Sequence, residues 1–282
     1  LIGLLLLASA CNDGGDGTSN EQTATTTHAL LRVERSVRLG AEDEASAQAF
    51  AGVVRVPEMA DPEPLLRLYG GGQALPAAGQ CAPVSRGRDS LNAAELTRAE
   101  FLDAGDVSLL VSGVKTLLAP RAFPSSVTEL PGVVYTSRDR ASEPLPGGAS
   151  YALRASGSEQ LPALEVRVQA PELLSDVAVG GAPLASIASL PAAEELQVTW
   201  RAGDARDLVY VEVSGSTDLG TLGVCAFRDS DGRGSLPSGL FGVSGAGSLA
   251  FHRLREVAAD VKALDAAEVR FDFELLSEVS FH

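Results

Sequence analysis

At 282 residues with 45% hydrophobic side chains, the chain is long enough to fill one large core or two ordinary ones without a metal or a cystine framework. Its formal net charge of −15 opposes nucleic acid, which is bound by Lys and Arg neutralising phosphates, and opposes adhesion of the folded body to an anionic lipid surface. Lys115 and Lys262 are the only lysines, and arginines such as Arg32, Arg35 and Arg38 are scattered along strand positions, the pattern of a solvated face rather than a basic groove.

The chain opens with an uncharged apolar run from Leu1 to Leu7, then the small residues Ala8, Ser9 and Ala10, then Cys11. That order resembles a bacterial lipobox, with Ala8 where leucine is commoner. The resemblance implies that residues 1–11 are the end of a lipoprotein signal and that Cys11 becomes an acylated N-terminus. Such an anchor draws about 0.8 kcal/mol from each buried methylene. Met59 is the only methionine, so the expected signal is cut short at its start. Asn12 after the cysteine points, by resemblance to the enterobacterial sorting rule, to the outer membrane. The alternative is a buried strand or short helix with an ordinary thiol at Cys11. Residues 12–29 begin Asn12-Asp13-Gly14-Gly15-Asp16-Gly17 and offer too little apolar surface to offset their ordering entropy, which predicts a disordered tether containing His28.

Period-two alternation dominates the chain beyond residue 30. Its clearest cases are Leu31, Val33, Arg35, Val37 and Leu39; Leu164, Val166, Val168 and Ala170; Leu196, Val198 and Trp200; and Val209, Val211 and Val213. In Val269-Arg270-Phe271-Asp272-Phe273-Glu274-Leu275 a strand places all three charges on one side, whereas a helix would scatter them. Further strands are expected near Val53–Val56, Val107–Val111, Val133–Thr136, Tyr151–Ala155 and Leu222–Phe227. Pro57 to Pro64 and Gly70-Gly71-Gly72 read as loops. Asn92-Ala93-Ala94-Glu95 looks like a capping box opening a short helix, and a second helix is one reading of Glu256 to Leu264. The predicted fold is all-β and mostly antiparallel. It has two β-sandwich-like domains, at 30–170 and 171–282, with one or two short helices in connections.

Chemistry-bearing motifs are sparse. With Cys11 assigned to lipid, Cys81 and Cys225 form an even pair in a compartment that permits disulfides; two separate buried thiols are the alternative. Asp229-Ser230-Asp231-Gly232-Arg233-Gly234 is a weak calcium candidate through Asp229 and Asp231. Arg233 at the fifth place and Leu240 at the twelfth both break the pattern, so a tight turn explains it more simply. Gly242-Val243-Ser244-Gly245-Ala246 lacks the last glycine of a nucleophile elbow, and Gly245-Ala246-Gly247-Ser248-Leu249-Ala250 lacks a βαβ context. His252, with Arg253 and Arg255 beside it, is either a hydrogen-bonded packing residue or part of an anion-binding edge. Asp204 with Asp207, or Glu194 with Glu195, are the acid pairs a glycosidase would draw on. No cofactor and no catalytic residue is expected.

Residues 196–204, the strand at 209–213, Cys225-Ala226-Phe227-Arg228-Asp229-Ser230-Asp231-Gly232, Phe251-His252-Arg253-Leu254-Arg255 and Arg270-Phe271-Asp272-Phe273 together look like a recurrent uncharacterised lipoprotein family of myxobacteria, over about residues 106–282. The resemblance implies an exported immunoglobulin-like or related β-sandwich module and brings no activity. The functional expectation is a non-catalytic binding or structural module of the cell envelope. It is an outer-membrane lipoprotein held by its N-terminal lipid, with a protein or glycan partner and no nucleic acid. The alternative is an extracytoplasmic hydrolase with acids in an interdomain cleft.

Overall fold

The computed structural model describes residues 24–41, 45–58, 60–70, 74–84, 99–123, 132–137, 145–215, 221–240 and 244–282. Cys11 with its apolar run and the capping box at Asn92–Glu95 lie outside the described residues. In chain order the elements are β1 (Thr25–Arg38), β2 (Ser46–Pro57), α1 (Glu63–Gly70), β3 (Gln80–Pro83), β4 (Glu100–Phe101), β5 (Val107–Val111), β6 (Val114–Phe123), β7 (Gly132–Thr136), β8 (Ser150–Ala155) and β9 (Leu164–Gln169). They continue as β10 (Ala178–Val179), β11 (Ala182–Pro183), β12 (Ser189–Leu190), β13 (Leu196–Thr199), β14 (Leu208–Ser214), β15 (Thr221–Arg228), β16 (Arg233–Leu236), β17 (Gly245–Ala259) and β18 (Ala266–Phe281). The fold is all-β and mostly antiparallel, with one short helix among the described residues.

One long sheet runs in the order β3-β15-β14-β17-β18-β1-β2-β4-β7-β6-β5-β8-β9, and a small one in the order β11-β10-β13-β16. The long sheet folds over itself at β6, whose first half pairs with β5 and whose second half pairs with β7. Leu31, Val33, Val269, Phe271 and Phe273 from its centre then meet Leu109, Tyr151, Leu153 and Val166 from its far end in a first core. A second core forms where Val211, Cys225, Phe251, Val279 and Phe281 pack on Val198, Trp200 and Leu236 of the small sheet. Burial of each such side chain is worth about 1.5–3 kcal/mol.

β18 serves both cores, its first half the first and its last residues the second. The division at residue 170 therefore separates the two small outer layers but not the sheet between them. β1 pairs in parallel along β18 from His28 to Arg38, and β3 pairs with β15. Alternation within a strand fixes its buried face and says nothing of its neighbour, so this sharing was invisible in the pattern.

Three local expectations change. Residues 25–29, expected in the tether, are the start of β1, where His28 Nε2 meets Thr26 Oγ1. The helix considered over 256–264 is instead the end of β17 and a turn closed by Leu264 N–H donating to the Val261 carbonyl. The Pro57–Pro64 loop gives way to α1 at Glu63, whose N–H donates to Asp61 Oδ1, because Leu65 and Leu66 find Leu30, Phe50, Val54 and Phe101 to pack on.

Candidate functional site

The long sheet has an outer face opposite the two cores. Since Leu31 and Val33 of β1 point inward, Arg32, Glu34 and Ser36 point outward; β18 likewise turns Arg270, Asp272 and Glu274 outward. Register then aligns these residues across strands. Tyr210, His252, Glu274, Ser36 and Ser46 form one row over β14, β17, β18, β1 and β2. The next row holds Asp272, Glu34 and Gln48.

Apolar cover flanks these rows on both sides. Leu65, Leu66 and Phe101 close over Leu30 and Phe50 at one side, and Leu75 and Val84 over Tyr210 and Val224 at the other. The polar rows line a cleft of about 390 Å³. β3, which leads to Val84, is fastened to β15 by the bond between Cys81 and Cys225, direct cross-strand partners. This bond lies within one sheet, unlike the inter-sheet bridge of an immunoglobulin domain.

Asp272 is the hub of the cleft floor. Tyr210 Oη donates to its Oδ2 at 2.6 Å, His252 Nδ1 bonds its Oδ1 at 2.8 Å, and Arg32 Nη2 lies 3.2 Å from Oδ2. The Tyr210 and His252 rings stack with centroids 4.2 Å apart. Burial alone would raise the Asp272 carboxyl, but His252, Tyr210 and Arg32 together hold it below its ordinary value. Burial alone would lower His252, and Asp272 reverses that, so the imidazole is raised and carries a proton more readily than a free histidine. Its Nε2 is buried, has no hydrogen-bond partner, and stands 3.9 Å from Glu274 Oε1. Glu34, paired with Arg32 at 2.6 Å, and Glu212 are both raised, chiefly by burial. Arg32 is thus a buried member of this cluster, where the sequence pattern suggested a solvated face.

A second polar cluster lies on the inner side of β17. Arg253 and Arg255 differ in parity from His252 and point away from it, which removes the anion-binding edge. Asp229 is fully buried; its Oδ1 accepts from Arg253 Nη2 at 2.8 Å and Trp200 Nε1 at 2.9 Å. Arg253 also donates to the carbonyls of Glu172, Leu173 and Arg201. Arg255 grips Asp207 with two hydrogen bonds of 2.6 and 2.8 Å. Asp204 bonds Arg206 and lies 3.5 Å from Arg255, so Asp204 and Asp207 are arginine partners rather than facing acids.

The calcium candidate separates. Asp229 gives its Oδ1 to Arg253 and Trp200 and buries Oδ2 with no hydrogen-bond partner among the described residues, while Asp231 is exposed, and the segment is a single turn closed by Gly232 at φ 62° between β15 and β16. No group of three potential metal ligands occurs among the described residues. Ser244 is exposed just before β17, and Glu195 accepts from Ser235 and Gln197. Sequence reasoning named His252 but missed Asp272, Tyr210, Glu34, Glu212 and Glu274 as its company. The one signal available was the run of like-facing charges at 270, 272 and 274.

The chain matches no protein-family model and no curated protein. Among solved structures it is similar to the Fcho1 Mu homology domain of Danio rerio with bound Eps15 peptide, at a TM-score of 0.30 and 10% identity over 91% of this chain and 97% of that one. Likeness at that level carries no inference about ligand or partner. No helix among the described residues is long and apolar enough to cross a membrane.

Proposed function

We propose that this chain is an exported binding module, anchored to the outer membrane through acylated Cys11, whose ligand sits in the cleft on the outer sheet face. The observation that carries the reading is the cleft floor: a buried His252–Asp272–Tyr210–Arg32 cluster beneath an open volume, with His252 Nε2 unsatisfied. Buried polar atoms are nearly always paired, so an unpaired one under a cleft is a place for a ligand atom.

A hydrolase is the second reading, favoured by carboxyls pushed apart, Asp272 down and Glu34 and Glu212 up. It fits less well. Asp272 is committed to three partners, and Ser36 stands beyond Glu274 in the row, two strand spacings or about 10 Å from His252. Among the described residues no hydroxyl bonds Nε2.

The test uses the full chain, incubated with the small-molecule fraction of an envelope extract and analysed by mass spectrometry. Wild type retains a compound that Ser46→Trp, a substitution at an exposed position on the cleft rim, does not. Equal retention by both, or none by either, contradicts the reading. Labelled fatty acid enters wild type and not Cys11→Ala; label in both contradicts the anchor.

A further inference from the structure

We infer that the cleft takes a compact ligand carrying an ammonium group together with a neutral oxygen, the chemistry of an amino alcohol or amino sugar. This rests on the cleft being a ligand seat and adds what fills it. The lining holds four carboxyl groups, Glu34, Glu212, Asp272 and Glu274, against Arg32, Arg35 and His252. Of the cations, His252 pairs with Asp272, Arg32 with both Asp272 and Glu34, and Arg35 donates to the Leu145 carbonyl. Four carboxyl groups against three basic side chains leave a small acidic balance, in a chain whose net charge of −15 already draws cations toward it.

Burial opposes ionisation of Glu34 and Glu212, and an incoming ammonium relieves that opposition. His252 supplies a second, different requirement. Its Nδ1–H is given to Asp272 and its Nε2, 3.9 Å from Glu274 Oε1, has no hydrogen-bond partner among the described residues, so the protonated ring presents an N–H beside Glu274 that a ligand oxygen can reach. Negative ligand oxygens are disfavoured by the surrounding carboxylates, which leaves a hydroxyl or carbonyl as the acceptor. Ala47 is the only aliphatic side chain among the described lining residues. A volume of about 390 Å³ lies near the lower end of small-molecule sites, which suits a compact ligand.

Affinity should fall as pH falls. Glu34 and Glu212 take up protons at higher pH than free glutamates and His252 becomes cationic, while Tyr210 stays neutral throughout.

Calorimetric titration of the full chain tests this with four probes: glucosamine, ethanolamine, N-acetylglucosamine, which lacks the charge, and cadaverine, which lacks the oxygen. Glucosamine or ethanolamine should bind, and N-acetylglucosamine and cadaverine should each bind at least about tenfold more weakly, as expected for loss of one charge-assisted hydrogen bond. Glu274→Gln should weaken amine binding by about the same factor at an unchanged melting temperature. N-acetylglucosamine binding as well as glucosamine, or no amine binding at millimolar concentration, overturns the ammonium; cadaverine binding as well as ethanolamine overturns the oxygen. If the amines fail while Ser46→Trp still abolishes retention of an envelope compound, this inference falls and the binding reading stands. If retention is also unaffected, both fall.

Discussion

β17 carries two buried polar clusters on its two faces, and they differ in one respect that decides what each does. On the inner face, Arg253 and Arg255 tie Asp229, Asp207 and Trp200 to the backbone carbonyls of residues 169–173 and 201, and the space is closed. A side chain at Gly203 would collide with Asp229 Oδ2. On the outer face, His252 and Asp272 are also buried, though slightly less so, and they form the floor of a cleft. Ion pairing and burial are thus common to a clasp between layers and to a ligand seat. Room for another molecule is what separates them.

The comparison breaks most readily at the clasp. Asp229→Ala leaves the Arg253 charge buried without its carboxylate, while the Trp200 N–H keeps the backbone carbonyl of residue 229, and should cost about 3–5 kcal/mol. The melting temperature should drop by about 10 °C for a domain of this size, read by calorimetry. A drop of only a degree or two would mean the inner cluster is not a clasp.

Next in size is the bond that fastens β3 to β15. Cys81 and Cys225 are 144 residues apart, and Cys81→Ser should cost about 2–4 kcal/mol. Amide exchange should rise in β3 and the adjoining segment at Leu75 while the first core is unaffected. Uniform loosening would show that β3 is not a separate unit.

The smallest effect on stability is expected on the outer face. In Asp272→Asn the burial of His252 persists without the carboxylate, so its pKa should fall in an NMR titration, with Glu212 and Glu274 still opposing the burial. In wild type the stabilisation from His252 is full below pH 6.5 and is lost as pH rises through its higher folded value. That from Asp272 is present above pH 3.8 and is lost as pH falls through its lower folded value. Asp272→Asn should flatten both changes in denaturant melts across pH. An unchanged profile would detach the pair from folding.

Much of the strand content was legible because one face of each strand is buried. Val107–Val111 and Tyr151–Ala155 are strands within a residue of where alternation puts them, and Gly232 makes the turn that Asp-Gly suggests. The site was not legible for two physical reasons. Arg32 and Asp272 meet across 240 residues through a parallel pairing of β1 with β18, which no local periodicity encodes. A polar strand face also reads as solvated unless its surroundings are known, and here Leu65 and Phe101 pack on Leu30 and Phe50, and Leu75 and Val84 on Tyr210, from distant segments. His252 was visible as a residue, but its sequence neighbours Arg253 and Arg255 belong to the opposite face. Parity along β17 would have separated them; only the sheet order gives His252 its partners.

The most direct measurement is the His252 ring signal in the NMR spectrum of the full chain, followed as the small-molecule envelope fraction is added. A ligand seat on the outer face predicts a saturable shift of that signal that Ser46→Trp abolishes, with the Trp200 indole N–H of the inner cluster unmoved. A His252 signal that stays in place while ligand is retained, or a shift confined to Trp200, would contradict it.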